Sequence, residues 1–492
     1  MSKQTNRRNV TIGIFVVTLL AAIEGTIVST AIPTIVGQLG GLSLFSWVIS
    51  IYLLTSAVTT PIYGKLADLY GRKKVIAVGI LIFLFGAMLA GFAQSMEQLI
   101  WFRAVQGIGA GAILTLTFTI VGDLYAFEER GKIQGMISGV WGIAGVVGPM
   151  TGGFLVDYVS WRWIFYMNIP FGLLALFLIG SYLHEDVNPD SKKLQIDYVG
   201  ALTFTISMTA LMYALLTGGS VYAWISPMII GLLCLVVLSF IAFIWIERQA
   251  PEPMLPLSLF RNPMLVISYL GGFVLNILLA GVTFYSPLWV QGIYGYGATG
   301  AGLALIPLSL TWPIGSLVGG KLGISIGTRS TSLIGIVFLA VGFVGLAVMQ
   351  PFTPLFYLYI IVGIQGLGFG LALTVFTLSV QSSVNWNLRG AANGANNFIR
   401  GLGQTMGVAA LATLFNSFIA AFLIKHPEAD MNKLLDPAEA RAIHEALVVP
   451  MRAALSGGLH QIFVVIGGIS VLALLIPLRI PGKSLEFAEE KN

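Results

Sequence analysis

Apolar residues dominate long segments that recur along almost the whole chain, with short polar stretches between them. A helix that crosses a bilayer needs about 20 mostly apolar residues. The pattern predicts fourteen membrane-spanning helices, at residues 10–36, 44–65, 74–93, 97–122, 132–155, 163–183, 196–217, 224–246, 264–287, 298–321, 331–349, 354–379, 390–420 and 456–478. Strands of a membrane barrel would alternate apolar and polar residues over about 10 positions, and these segments do not. The predicted fold class is an all-α polytopic membrane protein.

The basic residues of the polar stretches indicate the orientation of the chain. With a cytoplasmic amino terminus, most of the 26 Lys and Arg residues fall on the cytoplasmic side, as the positive-inside rule requires. An even number of spans returns the carboxyl terminus to that side. We expect a multi-pass protein of the cell membrane, the inner membrane of a bacterium, with both termini in the cytoplasm.

Composition excludes several function classes. Only 10% of the 492 residues are charged, whereas soluble domains carry about 25%. The net charge of +5 is small and dispersed, which excludes a nucleic-acid binder. One cysteine, Cys234, and four scattered histidines provide neither a disulfide framework nor a metal site. The sequence therefore predicts no enzyme activity, no metal and no cofactor.

Two segments of the chain repeat each other. A shift of 259 residues aligns Gln106 with Gln365, Gly107 with Gly366, Arg130 with Arg389, and Gly131 with Gly390. A shift of 256 residues aligns Gly64-Lys65-Leu66 with Gly320-Lys321-Leu322. These residues lie on predicted spans two, four and five, and again on spans ten, twelve and thirteen. Each repeat therefore contains six spans, and spans seven and eight lie between the repeats.

The repeat predicts a domain organisation. We expect an amino-terminal six-helix bundle over residues 1–183 and two inserted helices with their loops over 184–261. A second six-helix bundle covers 262–478, with an outer loop at 424–455, and a cytoplasmic tail follows over 479–492. Parallel six-span halves around a central site are an architecture of secondary transporters.

Four segments carry a family resemblance. They are EGTIVSTAIP at 24–33, GKLADLYGRKK at 64–74, RAVQGIG at 103–109 and GVVGPMTGG at 145–153. The first resembles the first-helix signature of fourteen-span drug:proton antiporters, although Glu24 stands where that family usually has Asp. The others resemble the loop signature, the fourth-helix motif and the fifth-helix antiporter motif of the major facilitator superfamily. The resemblance covers essentially the whole chain and implies the major facilitator fold and transport driven by the proton gradient.

Glu24 and Arg103 are the candidates for proton coupling. At a rise of 1.5 Å per residue, Glu24 lies about 10 Å below the outer face of a ~30 Å hydrocarbon core. A charge in this region costs about 2.5–3.5 kcal/mol on insertion scales. We expect a protonated carboxyl group when the site is sealed and proton release when a wet cavity opens.

Arg103 has a similar predicted depth, and its guanidinium would favour the ionised carboxylate. The shift of 259 residues places Thr283 opposite Glu24 and Val362 opposite Arg103, so the titratable pair belongs to one half only. The alternative is that both side chains only bond neighbouring helices and fix their packing.

The turn between spans two and three predicts a conformational latch. The family resemblance assigns to it Gly64, Lys65, Asp68, Gly71, Arg72 and Asp123. Asp68 and Arg72 have the spacing of a helical ion pair, and Asp123, at the cytoplasmic end of span four, can reach Arg72. Such a latch would stabilise the outward-facing state and break on inward opening. The alternative is charge that only sets the orientation of the chain.

Span five is rich in glycine. The antiporter-motif residues are Gly142, Gly145, Gly148, Pro149, Gly152 and Gly153. Small residues on one face let two helices approach closely, and this packing alone explains the pattern. An antiporter role for the motif is implied by the resemblance.

Polar residues within the spans are candidates for a substrate cavity. They are Tyr52, Trp141, Asn276, Gln365, Asn393, Asn397 and Arg400. Arg400 lies at helical spacing with Asn393, Asn396, Asn397 and Gln404 on span thirteen, and such a polar stripe must face protein or water rather than lipid. Cavity lining and interhelical bonding remain open for this stripe.

The sequence predicts a monomeric antiporter that uses proton entry to export small lipophilic compounds, neutral or monocationic, from the cytoplasm. Its expected partners are these substrates, protons and the lipid bilayer. A dedicated exporter of one endogenous metabolite or peptide is the alternative. A membrane sensor without transport activity is a third hypothesis.

Overall fold

Helices make up the regular structure of the computed structural model, which describes residues 5–125, 127–185, 197–219, 221–250, 253, 257–384, 389–435 and 445–480. Within these ranges, side chains are described except at positions 61, 65, 68, 69, 122, 127–132, 134, 135, 138, 389–391, 445 and 446. The α-helices of the described ranges are α1 (Arg7–Leu39), α2 (Phe45–Tyr70), α3 (Arg72–Phe92), α4 (Met96–Leu124), α5 (Phe127–Tyr158), α6 (Trp163–Tyr166), α7 (Asn168–Tyr182), α8 (Tyr198–Thr217), α9 (Pro227–Gln249), α10 (Pro263–Gly292), α11 (Ala298–Ser325), α12 (Gly327–Ala347), α13 (Leu355–Ser382), α14 (Arg389–Lys425), α15 (Glu445–Leu472) and α16 (Leu475–Leu478).

Fourteen helical segments of the described chain are long and apolar enough to cross a membrane. Helices α6 and α7 together form the span Trp163–Tyr182, and α15 with α16 forms Leu447–Leu478. Each predicted span overlaps one of these segments, so the predicted all-α polytopic fold class is confirmed.

The last span begins earlier than predicted. Helix α15 starts at Glu445, so part of the segment 424–455 that the sequence assigned to an outer loop is helical. Pro450 and Arg452 interrupt the apolar pattern there. The hydropathy pattern therefore did not predict the start of the helix. Arg452 is exposed, and the helix therefore tolerates its charge.

Local sequence signals set several helix ends. Ser95 and Ser226 cap α4 and α9, because each hydroxyl oxygen accepts a hydrogen bond from a backbone N–H of the first turn. Pro227 occupies the first position of α9, where its missing N–H costs nothing. Gly71 and Gly327, equivalent in the repeat, have φ values of 90° and 83°, which glycine adopts without strain. Both halves therefore connect their second and third helices by the same tight turn.

The chain folds into two compact units. Unit 1 comprises Met1–Ala214 and Trp224–Met254, and unit 2 comprises Leu215–Ala223 and Leu255–Asn492. In unit 1, α4 packs on α2 and α3, α1 packs on α5, and α3 packs on α7. In unit 2, α13 packs on α11 and α12, α10 packs on α14, and α12 packs on α15. The two units thus repeat one pattern of helix packing.

Helices α8 and α9 associate mainly with unit 1. Tyr213 of α8 makes an edge-on ring contact with Trp47 of α2, at 5.9 Å between centroids. The ring centroids of Phe204 on α8 and Phe243 on α9 lie 5.2 Å apart. That these two helices are an insertion between two repeats stays a prediction.

Glycines let the equivalent helices of both units approach to backbone contact. A Cβ atom on Gly107 of α4 would lie 2.5 Å from the carbonyl oxygen of Tyr52 on α2. A Cβ atom on Gly366 of α13 would lie 2.5 Å from the carbonyl oxygen of Leu308 on α11. These glycines are equivalent in the repeat, and both are required by the same close packing.

We expect Gly107→Ala and Gly366→Ala each to destabilise the protein by about 1–3 kcal/mol, because the added Cβ must push a backbone away. Gly320→Ala is the matched control, since a Cβ there meets nothing within 4 Å and Ala favours a helix by up to about 1 kcal/mol. Thermal unfolding of the purified proteins in detergent measures both effects. Equal melting temperatures for Gly107→Ala and Gly320→Ala would contradict this account of the packing.

Candidate functional site

Glu24 lies near the middle of α1 with its side chain 0% exposed. Its Oε1 atom accepts a hydrogen bond from Nη1 of Arg103 on α4, with which it also forms an ion pair. Its Oε2 atom accepts a hydrogen bond of 3.0 Å from Nδ2 of Asn168 on α7. Each carboxylate oxygen therefore has a donor from a different helix of unit 1.

Arg103 is also buried, at 2% exposed, and has partners besides Glu24. Its Nη1 atom donates to Oε1 of Gln106 at 2.7 Å, and its Nε atom donates to the carbonyl oxygen of Val48 at 3.4 Å. The guanidinium carbon lies 4.0 Å from the ring centroid of Tyr52, a distance at which the ring face attracts a cation. A second ring, that of Phe165, lies 5.9 Å from the same carbon, so Arg103 contacts two acceptors and two aromatic rings in addition to the carboxylate.

These contacts allow the charge on Glu24 to change without leaving its donors unpaired. If Glu24 takes up a proton, Arg103 keeps Gln106, the Val48 carbonyl and the Tyr52 ring. Asn168 Nδ2 also lies 3.2 Å and 3.3 Å from backbone carbonyl oxygens of its own helical segment. Removing one partner of a buried ion pair otherwise costs about 3–5 kcal/mol. The alternative acceptors reduce this cost.

The structure brings together the two residues that the sequence singled out for proton coupling. Tyr52 is buried against Arg103, and its predicted place in a substrate cavity stays a prediction. Asn168 and Gln106 were not predicted to contact Glu24 and Arg103. A signal for Asn168 existed, because it is the one amide side chain within the apolar segment 163–183.

The predicted repeat partner of Glu24 is wrong. Helices α1 and α10 each contain a proline near their end, and these align Pro33 with Pro287. Gly148 lies near Ile23 of α1, and its repeat equivalent Gly407 lies near Ile277 of α10. Ile23 and Ile277 therefore align at the same shift as the prolines. This register places Leu278 opposite Glu24, in place of Thr283. The shift between the repeats is therefore smaller on the first helix than on the fourth, because the connecting segments differ in length.

The second half lacks the ionic cluster. The repeat counterparts of Glu24, Arg103 and Tyr52 are the buried apolar residues Leu278, Val362 and Leu308. Gln365, the counterpart of Gln106, keeps its amide and is 0% exposed. Within the described part of the chain, its Oε1 and Nε2 atoms have no hydrogen-bond partner. Gln365 therefore lies inside unit 2 rather than on a surface that substrate could reach in this state.

The predicted pair between Arg72 and Asp123 is present. Arg72 Nε lies 3.1 Å from Asp123 Oδ2, and both side chains are partly exposed. Gly64 lies half-buried on α2, and Gly71 forms the turn described above, whereas the side chains of Lys65 and Asp68 fall outside the described residues.

Two further hydrogen bonds connect helices at the same end of unit 1. The backbone N–H of Lys73 donates to Oε2 of Glu185 at 3.0 Å, which ties the start of α3 to the residues after α7. The hydroxyl groups of Thr11 and Tyr125 form a hydrogen bond of 2.6 Å between α1 and the end of α4. The helices that carry Glu24, Arg103 and Asn168 are thus linked at this end as well.

The glycines of α5 pack against the helix that carries Glu24. A Cβ atom on Gly148 would lie 2.2 Å from Oγ1 of Thr26, and one on Gly152 would lie 2.5 Å from Cγ1 of Ile27. Pro149 is buried within the helix, as is Gly153, while Gly142 and Gly145 are half-buried. Close packing therefore accounts for Gly148 and Gly152, and an antiporter role of the motif stays a prediction.

The remaining cavity candidates lie in different surroundings. Trp141 on α5 is 42% exposed. On α14, Asn397 is exposed, whereas Asn393 and Arg400 are half-buried. Asn276 on α10 is buried, and its amide donates to a backbone carbonyl of its own helix. Of these residues, Trp141 belongs to unit 1 and the others to unit 2.

Comparisons with known proteins agree with this fold. Multidrug resistance protein 3 of Bacillus subtilis (strain 168) is 38% identical over 413 residues, which cover 84% of this chain and 80% of that protein. Multidrug transporter protein MdtP of the same organism is 33% identical over 526 aligned positions, covering 100% of this chain and 97% of the relative. The alignments cover four fifths of the first relative and nearly all of the second.

A solved structure shares the architecture. A bacterial homologue of the human lysosomal transporter Spinster superimposes with a TM-score of 0.69 at 16% sequence identity, covering 96% of each chain. Residues 14–408 match the family model described as Major Facilitator Superfamily. With its fourteen apolar helices and these relatives, the chain belongs to the Major Facilitator Superfamily and is a multi-pass membrane transporter rather than an enzyme.

Proposed function

We propose that this transporter is a proton-coupled antiporter that exports lipophilic neutral or monocationic compounds from the cytoplasm. The observation that carries the proposal is the environment of Glu24. A carboxyl group sealed inside a membrane bundle is costly unless it is paired or functional. Here its donors Arg103 and Asn168 have other acceptors within reach, so the group can load and release a proton without collapse of the site.

The substrate class and the direction of transport draw on the relatives. Two relatives at 33% and 38% identity carry the words multidrug transporter and multidrug resistance in their names. We extend export of drug-like compounds to this chain on that basis. A single ionisable carboxyl group at mid-span favours neutral and monovalent substrates over divalent cations.

Proton entry would supply the free energy. One charge that moves across the membrane gains about 2.3 kcal/mol per 100 mV, before any pH gradient is added. In the proposed cycle, Glu24 takes up a proton when its site opens to the outside and releases it when the site opens to the cytoplasm. The transporter would work as a monomer without a cofactor, and both termini would lie in the cytoplasm.

The pair between Arg72 and Asp123 would favour one state of this cycle. It links the start of α3 to the end of α4, the helix that carries Arg103. An exposed ion pair contributes only about 0–1 kcal/mol, which is small enough to be broken in each cycle. We propose that it stabilises the outward-facing state.

We expect Glu24→Gln to abolish proton-driven transport, because an amide cannot exchange the proton. Ethidium transport into inside-out vesicles, driven by an imposed pH gradient, measures this loss. Glu97→Gln is the matched control, since Glu97 is an exposed carboxylate at the start of α4. Undiminished, gradient-dependent transport by Glu24→Gln would rule out coupling through this residue.

A charge exchange tests the latch. Arg72→Asp and Asp123→Arg should each slow ethidium efflux, because like charges then face each other across the turn. The double exchange should restore at least half of the rate, with melting temperatures nearly constant throughout. Lys74→Asp is the control, because Lys74 is exposed on the same turn of α3. If the double variant is as slow as the single variants, the pair has no role in the cycle.

A further inference from the structure

Arg400 is a membrane-embedded charge with no counterion among the residues that the structure describes. It lies inside α14 and is the only charged residue between the end residues Arg389 and Lys425 of that helix. Its side chain is half-buried. Among the residues that the structure describes, no hydrogen bond or ion pair involves its guanidinium. This differs from Arg103, whose charge is balanced by Glu24.

The sequence shows that the spans of unit 2 cannot supply the missing carboxylate. From Pro253 to Pro427 the chain contains neither Asp nor Glu, and the last span, Leu447–Leu478, contains none either. An unpaired guanidinium within a bilayer must face water or protein rather than lipid. Unit 2 therefore carries a positive charge that no carboxylate of its own spans neutralises.

The residues around Arg400 have two features of a ligand-binding site. The aliphatic part of the Arg400 side chain packs against Gly272 of α10. A Cβ atom added to Gly272 would lie 3.0 Å from Arg400 Cγ. One turn earlier on α14, Asn396 is 2% exposed, and its Oδ1 atom is buried without a hydrogen-bond donor among the described residues. The same notional Cβ lies 3.6 Å from this oxygen, so both side chains approach Gly272. A buried acceptor without a donor is costly and indicates a missing partner.

We propose that Arg400 binds a carboxylate group of the exported compound, with Asn396 accepting a hydrogen bond from a neighbouring N–H or O–H of that compound. Lipophilic acids and zwitterions thereby join the substrates of this transporter. The inference rests on the proposed export function and specifies its substrate class. A carboxylate at Arg400 would cancel the charge there, and two oxygens can bond the guanidinium fork at once. A monocation in the same place would add a second positive charge.

Rhodamine 110 and rhodamine 123 test the proposal, because the second dye is the methyl ester of the first and they differ in one carboxylate. Binding of each dye to the purified full-length protein in lipid nanodiscs is measured by fluorescence anisotropy. Arg400→Gln should weaken binding of rhodamine 110 roughly tenfold or more, the effect of losing a charge-assisted hydrogen bond. Binding of rhodamine 123 should change less than about threefold, which also shows that the variant is folded.

Two control variants refine the result. Arg400→Lys keeps the charge but loses the fork, so its affinity for rhodamine 110 should lie between those of wild type and Arg400→Gln. Arg452→Gln removes an exposed charge from the same unit and should leave both affinities unchanged. Equal losses for the two dyes in Arg400→Gln, or no binding of rhodamine 110 to the wild type, would overturn the proposal.

Failure of the coupling mechanism would look different. If Glu24→Gln still transports ethidium with the pH gradient, the proton-coupling proposal fails, whatever the dye affinities are. If Glu24→Gln is inactive and the two dyes respond equally to Arg400→Gln, proton coupling stands and the carboxylate site does not.

Discussion

A hydrocarbon core cannot hydrate a charge, and this constraint decides where the chain places its few ionisable side chains. Glu24 and Arg103 lie on different helices of unit 1 and neutralise each other at a site with almost no exposure. The pair is costly to form and costly to break. Its neighbours matter for this reason: Asn168, Gln106 and Tyr52 provide each charge with a second partner. These additional partners lower the cost of a change in charge at the site.

The two units show how one packing pattern serves two kinds of chemistry. Gly107 and Gly366 allow the same close contact between helices in both halves, so the scaffold is shared. The polar positions around them are not shared. Where unit 1 has an acid and a base, unit 2 has Leu278 and Val362. Unit 2 instead carries its charge at Arg400, on a different helix and without an acidic neighbour in its spans. The two halves thus differ in the polar groups that the shared scaffold carries.

Much of the fold could be predicted from the sequence, because bilayer thickness fixes the length of each apolar segment. The span positions follow from this one constraint. The similar depth of Glu24 and Arg103 also followed from helix rise alone. The start of α15 did not, since Pro450 and Arg452 resemble loop residues in a hydropathy pattern although both lie within the helix.

The details of the site depend on helix rotation, which hydropathy does not encode. Depth placed Glu24 and Arg103 at one level, but only the rotation of α7 brings Asn168 to the second carboxylate oxygen. Tyr52 lies on Arg103, because α2 turns that face toward α4. The register of α1 against α10 was wrong for a related reason. A shift taken from the fourth and fifth helices need not hold for the first, since connecting segments absorb the difference.

Proton release on substrate binding is the most direct test of whether Glu24 carries the proton. Purified protein in a weakly buffered detergent solution is mixed with ethidium, and a pH-indicator dye reports the protons released. We expect release from the wild type, up to one proton for each protein molecule, and none from Glu24→Gln at equal ethidium occupancy. Equal release from both proteins would show that another group carries the proton and would contradict the role assigned to Glu24.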